Sequence, residues 1–186
     1  MPRWRSSKTG WASSKRSSAE RLGKPYAECP FVQYEWHVSA ACGYAELGMM
    51  RECVAELDAI EPRMQTRPEV LHLRLQYWMQ KKRWSQALRI AQKLCRVAPD
   101  RSTGFLHAGY CLHKVGKTAE AKATLIKGPV ALLKEPIYYY NMGCYDALLG
   151  NIRDAKTNLK ISFKMDASFR DLAKRDPDLK MLQGAI

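Results

Sequence analysis

From Tyr34 onward the chain repeats itself every 34 residues, so it must either stack equal units or waste the register. Frames begun at Tyr34, Pro68, Ser102 and Pro136 read Ala41, Leu75, Gly109 and Gly143 at the eighth position. The fifteenth position reads Gly48, Lys82, Gly116 and Gly150, and the twentieth reads Cys53, Ala87, Ala121 and Ala155. The twenty-fourth reads Leu57, Ala91, Leu125 and Leu159. Small and apolar residues kept in register through four frames, with no insertion, mark units that bury their faces only against one another.

Each frame predicts an antiparallel helix pair. Its first half carries apolar residues at helical spacing, as in Leu71, Leu75, Trp78 and Met79. Glycine at the fifteenth position suits a residue just past a helix end, where the left-handed conformation is needed. The second half is again helical, with Ala87, Leu88, Ala91 and Leu94, or Ala155, Leu159 and Ser162. Alanine at the twentieth position lets the two helices of a pair approach closely. Pro62, Pro99 and Pro129 fall near the ends of the units.

These residues resemble the tetratricopeptide repeat (TPR). The second frame supplies Leu71, Trp78, Ala87, Ala91, Leu94 and Pro99 at signature positions, with Arg74 and Leu75 in place of the usual Leu-Gly. The third supplies Ala108, Gly109 and Ala121, with Gly128 where alanine is usual. The fourth supplies Met142, Gly143, Ala155 and Ala167, but Asp146 stands where an aromatic is expected. The first, with His37, Ala40, Ala41, Tyr44 and Cys53, diverges most. The resemblance implies an all-α, right-handed α-solenoid of about four helix hairpins over residues 34–168, in frames 34–67, 68–101, 102–135 and 136–169. Residues 169–186 follow as a capping helix and tail, with Ser168 as the cap of a helix from Phe169 to Arg175 and Asp176-Pro177 opening another around Leu179 and Leu182. Such a charged segment suits the exposed end of a stack.

Residues 1–33 differ in kind. Seven cations (Arg3, Arg5, Lys8, Lys15, Arg16, Arg21 and Lys24) face Glu20 and Glu28, a net +5 of the chain's +13. Rich in serine and without apolar periodicity, the segment reads as a flexible basic arm. Three roles stay open for it: a solvated extension, an organelle targeting peptide, or a nucleic-acid contact in which Trp4 and Trp11 stack on bases.

Several function classes are excluded. The longest clean apolar run, Val130 to Leu133, is too short for a transmembrane helix. Cysteines 29, 42, 53, 95, 111 and 144 contain no Cys-x-x-Cys pair and read as free thiols in a reducing compartment, so the expected location is cytoplasmic. Gly116-Lys117-Thr118 resembles the end of a phosphate loop, but Gly109 lies seven positions back and the segment sits in an interhelical turn. His37, His72, His107 and His113 show no metal-ligand spacing, and His107 with Cys111 lacks further ligands. No acid, base, metal or nucleophile cluster supports an enzyme, and no cofactor is expected.

The first helices of a TPR stack line a concave groove. The resemblance places Val38 and Cys42 of the first frame there, with Glu69, His72, Gln76 and Met79 of the second. Leu106, Tyr110, His113 and Lys114 of the third follow, then Ile137, Tyr140, Asn141 and Cys144 of the fourth. Chaperone-binding relatives hold a terminal carboxylate with Lys and Asn at the fifth and ninth positions. Here those places hold Val38 with Cys42, His72 with Gln76, and Leu106 with Tyr110, which argues against such a clamp. An aromatic, apolar and amide-bearing set suits an extended or helical peptide with a few bulky anchors.

The expected function is therefore a non-catalytic protein–protein interaction module or adaptor, with a protein or peptide partner and no membrane. A secretion-type chaperone for an export substrate, or a nucleic-acid or ribosome-associated factor working through the arm, are the alternatives. Lys156, Lys160 and Lys164 at helical spacing read as a solvated outer face. Trp36 with Met49 and Met50 marks an apolar patch suited to a homodimer.

Overall fold

The computed structural model describes residues 30–182, and every regular element among them is helical. Four hairpins follow in order: α1 (Pro30–Glu46) with α2 (Met50–Ala59), α3 (Pro68–Gln80) with α4 (Trp84–Val97), α5 (Ser102–Lys114) with α6 (Thr118–Ile126), and α7 (Pro136–Leu148) with α8 (Ile152–Met165). A short α9 (Ser168–Ala173) and a 3-10 helix over Pro177–Leu182 close the described chain. The first helix begins at Pro30, so residues 30–33, expected in the arm, are already helical. Proline at a first helical position lacks only an N–H that the helix could not use.

The turns inside the four hairpins are copies of one another. Gly48, Lys82, Gly116 and Gly150 all take positive φ, at 76°, 54°, 82° and 82°. The N–H of the next residue reaches back five residues to a carbonyl: Met49 to Tyr44, Arg83 to Trp78, Lys117 to Leu112 and Asn151 to Asp146, at 2.8–3.0 Å. The N–H of the positive-φ residue itself bonds a carbonyl three back in each case. Together these bonds form a Schellman ending, which satisfies carbonyls that the helix end would orphan and reverses the chain.

Within a hairpin, small residues set the spacing. Ala87, Ala121 and Ala155 are fully buried, as is Cys53 at the same position of the first hairpin. A Cβ placed on Gly143 would lie 2.7 Å from Cγ of Leu159, so the eighth and twenty-fourth positions of that unit pack at a distance only glycine permits. Burial is continuous but segmented. Tyr34, Ala41, Cys53, Leu57, Val70 and Leu73 form one apolar cluster, and Leu71, Leu75, Ala91, Leu94, Ala108 and Cys111 form the next. Each cluster joins one hairpin to the first helix of its successor, as a stack with only neighbour contacts requires. First helices of successive hairpins also touch, α1 against α3 and α5 against α7, which puts the first helices on the inner side.

The chain's C-terminal end departs from expectation. Ser168 does not cap α9 with its side chain. Its N–H instead donates to Asp166 Oδ1 at 2.9 Å, because the preceding carboxylate is a stronger acceptor than a hydroxyl and reaches the first free amide. The helix ends at Ala173 rather than Arg175. The segment after it does not lie flat on the end of the stack: the 3-10 helix turns back over α7. Asp146, in the expected aromatic position, is 1% exposed inside the fourth hairpin.

Charge is sorted along the stack. The first hairpin, residues 30–59, carries Arg51 against Glu35, Glu46, Glu52, Glu56 and Asp58, a net −4. Residues 60–182 carry 23 basic against 11 acidic residues, a net +12.

Candidate functional site

The inner surface divides into an open half and a covered half. On the open half, α1 offers half-buried Val38 and exposed Cys42, and α3 offers exposed Glu69 and Gln76 with half-buried His72 and Met79. Tyr34 donates its hydroxyl to Glu69 at 3.3 Å, and Gln76 Nε2 bonds His72 Nε2 at 2.9 Å. The His72 ring lies 6.1 Å from His107 of α5. Burial lowers the pKa of both imidazoles, and for His107, which also feels His72, down to about 4. Both rings are therefore neutral at physiological pH and can offer one donor and one acceptor each.

Tyr110 of α5 forms the far wall of this half. Its ring meets Trp84 edge to face at 5.7 Å, and Lys114 Nζ lies 5.2 Å from its centroid. Trp84 holds the tyrosine in place, and the ammonium on its face adds a cation–π contact.

The covered half holds the remaining expected residues. Tyr140 is 4% exposed and donates its hydroxyl to Asp176 Oδ2 at 2.7 Å. Cys144 Sγ lies 3.8 Å from the same oxygen. His113 Nε2 meets Asp178 Oδ2 at 3.0 Å, while its Nδ1 lies 3.3 Å from Thr118 Oγ1. The bond from His113 lowers the Asp178 carboxyl, with further help from the charge of Lys114. Burial, then the neighbouring Cys144 and Asp176, raises the Tyr140 hydroxyl far above its ordinary value. Leu179 and Leu182 of the 3-10 helix are 0% and 2% exposed, in one apolar cluster with Leu106, Tyr140, Cys144 and Tyr145. Leu106, Tyr140 and Cys144 were expected on an open groove and are instead buried: residues 176–182 lie against Tyr140 and Cys144, and Leu106 is buried in the same apolar cluster. Ile137 and Asn141 stay half-buried beside them.

Sequence reasoning missed Asp176, Asp178, Leu179 and Leu182 as groove occupants. The signal was present: two leucines three residues apart are too apolar for a solvated end cap. The arm residues Arg3, Arg5, Lys8, Lys15, Arg16 and Arg21 lie outside the described residues. On the outer helix α8, Lys160 and Lys164 are exposed and Lys156 is half-buried. Among the described residues no group of His, Cys, Asp and Glu is placed to hold a metal ion, and no helix is long and apolar enough to cross a membrane.

Among solved structures, YrrB, described as a TPR protein with an unusual peptide-binding site, superposes with a TM-score of 0.62 at 15% identity, over 81% of this chain and 83% of that one. The chain has a TPR fold. MamA is similar as well: its RS-1 form gives a TM-score of 0.63 at 14% identity over 81% of this chain and 89% of that chain. The MSR-1 form of MamA gives 0.59 at 14% identity over 81% and 84%. No family model and no curated protein matches the sequence. The TPR likeness is therefore carried by shape and register, at identities that fix the fold alone.

Proposed function

We propose that the chain is a non-catalytic TPR interaction module, an adaptor that holds a peptide segment of a partner protein against the inner face of its helix stack. One observation carries the reading: this face already accommodates a peptide, residues 176–182, through two side-chain bonds and two buried leucines. A surface able to seat such a segment in its C-terminal half offers His72, Gln76, Met79 and Tyr110 in the open half to the continuation of a longer one. Rigid helices present these side chains at fixed spacing, so ordering costs fall mainly on the peptide. YrrB's description as a peptide binder agrees with this use of the fold.

The test is capture with the whole chain, identification of the protein retained, and repetition with purified partner against His72→Ala/Tyr110→Ala. Loss of the identified partner by a variant that keeps its helical circular dichroism supports the groove. Undiminished binding sinks it.

A further inference from the structure

The terminal segment is held as a ligand is held. Its polar contacts join side chains to side chains: Tyr140 to Asp176 and His113 to Asp178. Its apolar contribution comes from Leu179 and Leu182, on a 3-10 helix whose own amide at Asp178 bonds back to the Asp176 carboxylate at 3.0 Å. Upstream the segment follows the six-residue α9, whose Ala173 is buried and whose Phe169 ring lies 5.1 Å from that of Tyr140, while its Leu172 is exposed. A 3-10 turn has weaker internal bonding than an α-helix, so little local structure resists its departure.

The fit is also incomplete. Tyr145 of α7 is 2% exposed, its ring 5.4 Å from His113, and its hydroxyl is buried with no hydrogen-bond partner among the described residues. A buried unmatched donor is a standing cost of the closed arrangement, and a replacement segment that offered an acceptor there would remove it. Lys114, close enough to Asp178 to lower its carboxyl, and the net +12 of residues 60–182 favour an acidic replacement.

We infer that residues 176–182 are a displaceable latch over the C-terminal half of the groove, and that the partner segment taking their place is acidic and leucine-bearing. It presents a carboxylate to Tyr140, a second carboxylate two residues on to His113, and leucines at the spacing of Leu179 and Leu182. The inference rests on the peptide-binding reading above and adds the chemistry of the peptide.

The probe is a synthetic fluorescent peptide spanning residues 174–186, titrated into the full chain and into full-length Asp176→Asn/Asp178→Asn. Weakening the latch should tighten binding of the peptide by at least about tenfold, because charge-assisted bonds compete directly for one seat. The same peptide with both aspartates changed to asparagine should bind the opened chain at least about tenfold more weakly. Equal affinity for the two chains, or for the two peptides, overturns the latch. Hydrogen exchange on the wild-type chain gives a second reading. Amides of 178–182 should exchange faster than those of α7, and Tyr145→Phe should slow them by about tenfold, since it removes the unmatched hydroxyl. Exchange of 178–182 only with global unfolding would make the segment an integral part of the fourth hairpin and end the proposal. A partner that still depends on His72 and Tyr110 after such a result leaves the interaction module standing without the latch. Loss of that dependence removes both.

Discussion

Lys122 of the third hairpin places its ammonium on the buried carboxylate of Asp146 in the fourth. Asn151 and Asn158 donate to the same carboxylate at 3.2 and 3.1 Å, so a charge in an apolar position is matched from two hairpins and one turn. Matching is what makes it tolerable: a buried carboxylate left alone is costly, and breaking one side of such a set strands the other. Asp146→Ala should therefore lower stability by about 3 kcal/mol in urea denaturation, and Lys122→Met by less, since two amides still serve the carboxylate. A loss below about 0.5 kcal/mol for Asp146→Ala would mean the network contributes nothing beyond shape.

Lys82 stands in the left-handed position that glycine fills in the other three turns. A Cβ there crowds the backbone, whereas its lysine side chain is exposed and nothing about it requires that residue. Lys82→Gly should raise stability by about 1 kcal/mol, and Gly116→Ala should lower it by a similar amount. Thermal unfolding of the two variants checks both signs. A destabilised Lys82→Gly would show that the greater freedom of glycine in the unfolded chain outweighs the relief.

His107 and His72 make the stack sensitive to mild acid. Unfolded histidine binds its proton near pH 6.5, but folded His107 resists it down to about pH 4. Between those values the unfolded chain holds more protons, so stability rises with pH and is lost as pH falls from 6.5 towards 4. The slope is at most about 1.4 kcal/mol per pH unit for each such group. In His107→Gln that slope should fall by up to about 1.4 kcal/mol per pH unit, as read from denaturation midpoints across that range. An unchanged slope would assign the acid sensitivity to other groups.

Much of this was legible in the sequence because it is local or periodic. A Schellman turn depends on one residue, and glycine at the fifteenth position announces it three times, while Lys82 takes the same conformation in the remaining turn. Close packing of Ala87, Ala121 and Ala155 follows from volume alone. What stayed hidden depends on contacts distant in sequence. Asp146 looked like a departure from the repeat because its partner Lys122 lies 24 residues away. Asp176 looked like the start of a solvated helix because Tyr140 lies 36 residues back and nothing in the period relates them. Tyr140 and Cys144, expected on an open groove, are buried for the same reason. The positions lie where the repeat puts them, but the repeat does not describe the segment that follows it.

The sorting of charge along the helix stack makes its described residues a macroscopic dipole, with one end at −4 and the remainder at +12. A polyanionic surface exerts a torque on such an object as well as a pull. Within the last Debye length, about 8 Å at physiological salt, the later hairpins are drawn in and the first is turned outward. For the described residues by themselves an acidic partner would meet the later hairpins first, and the net +5 of the residues that precede the first hairpin opposes that turn.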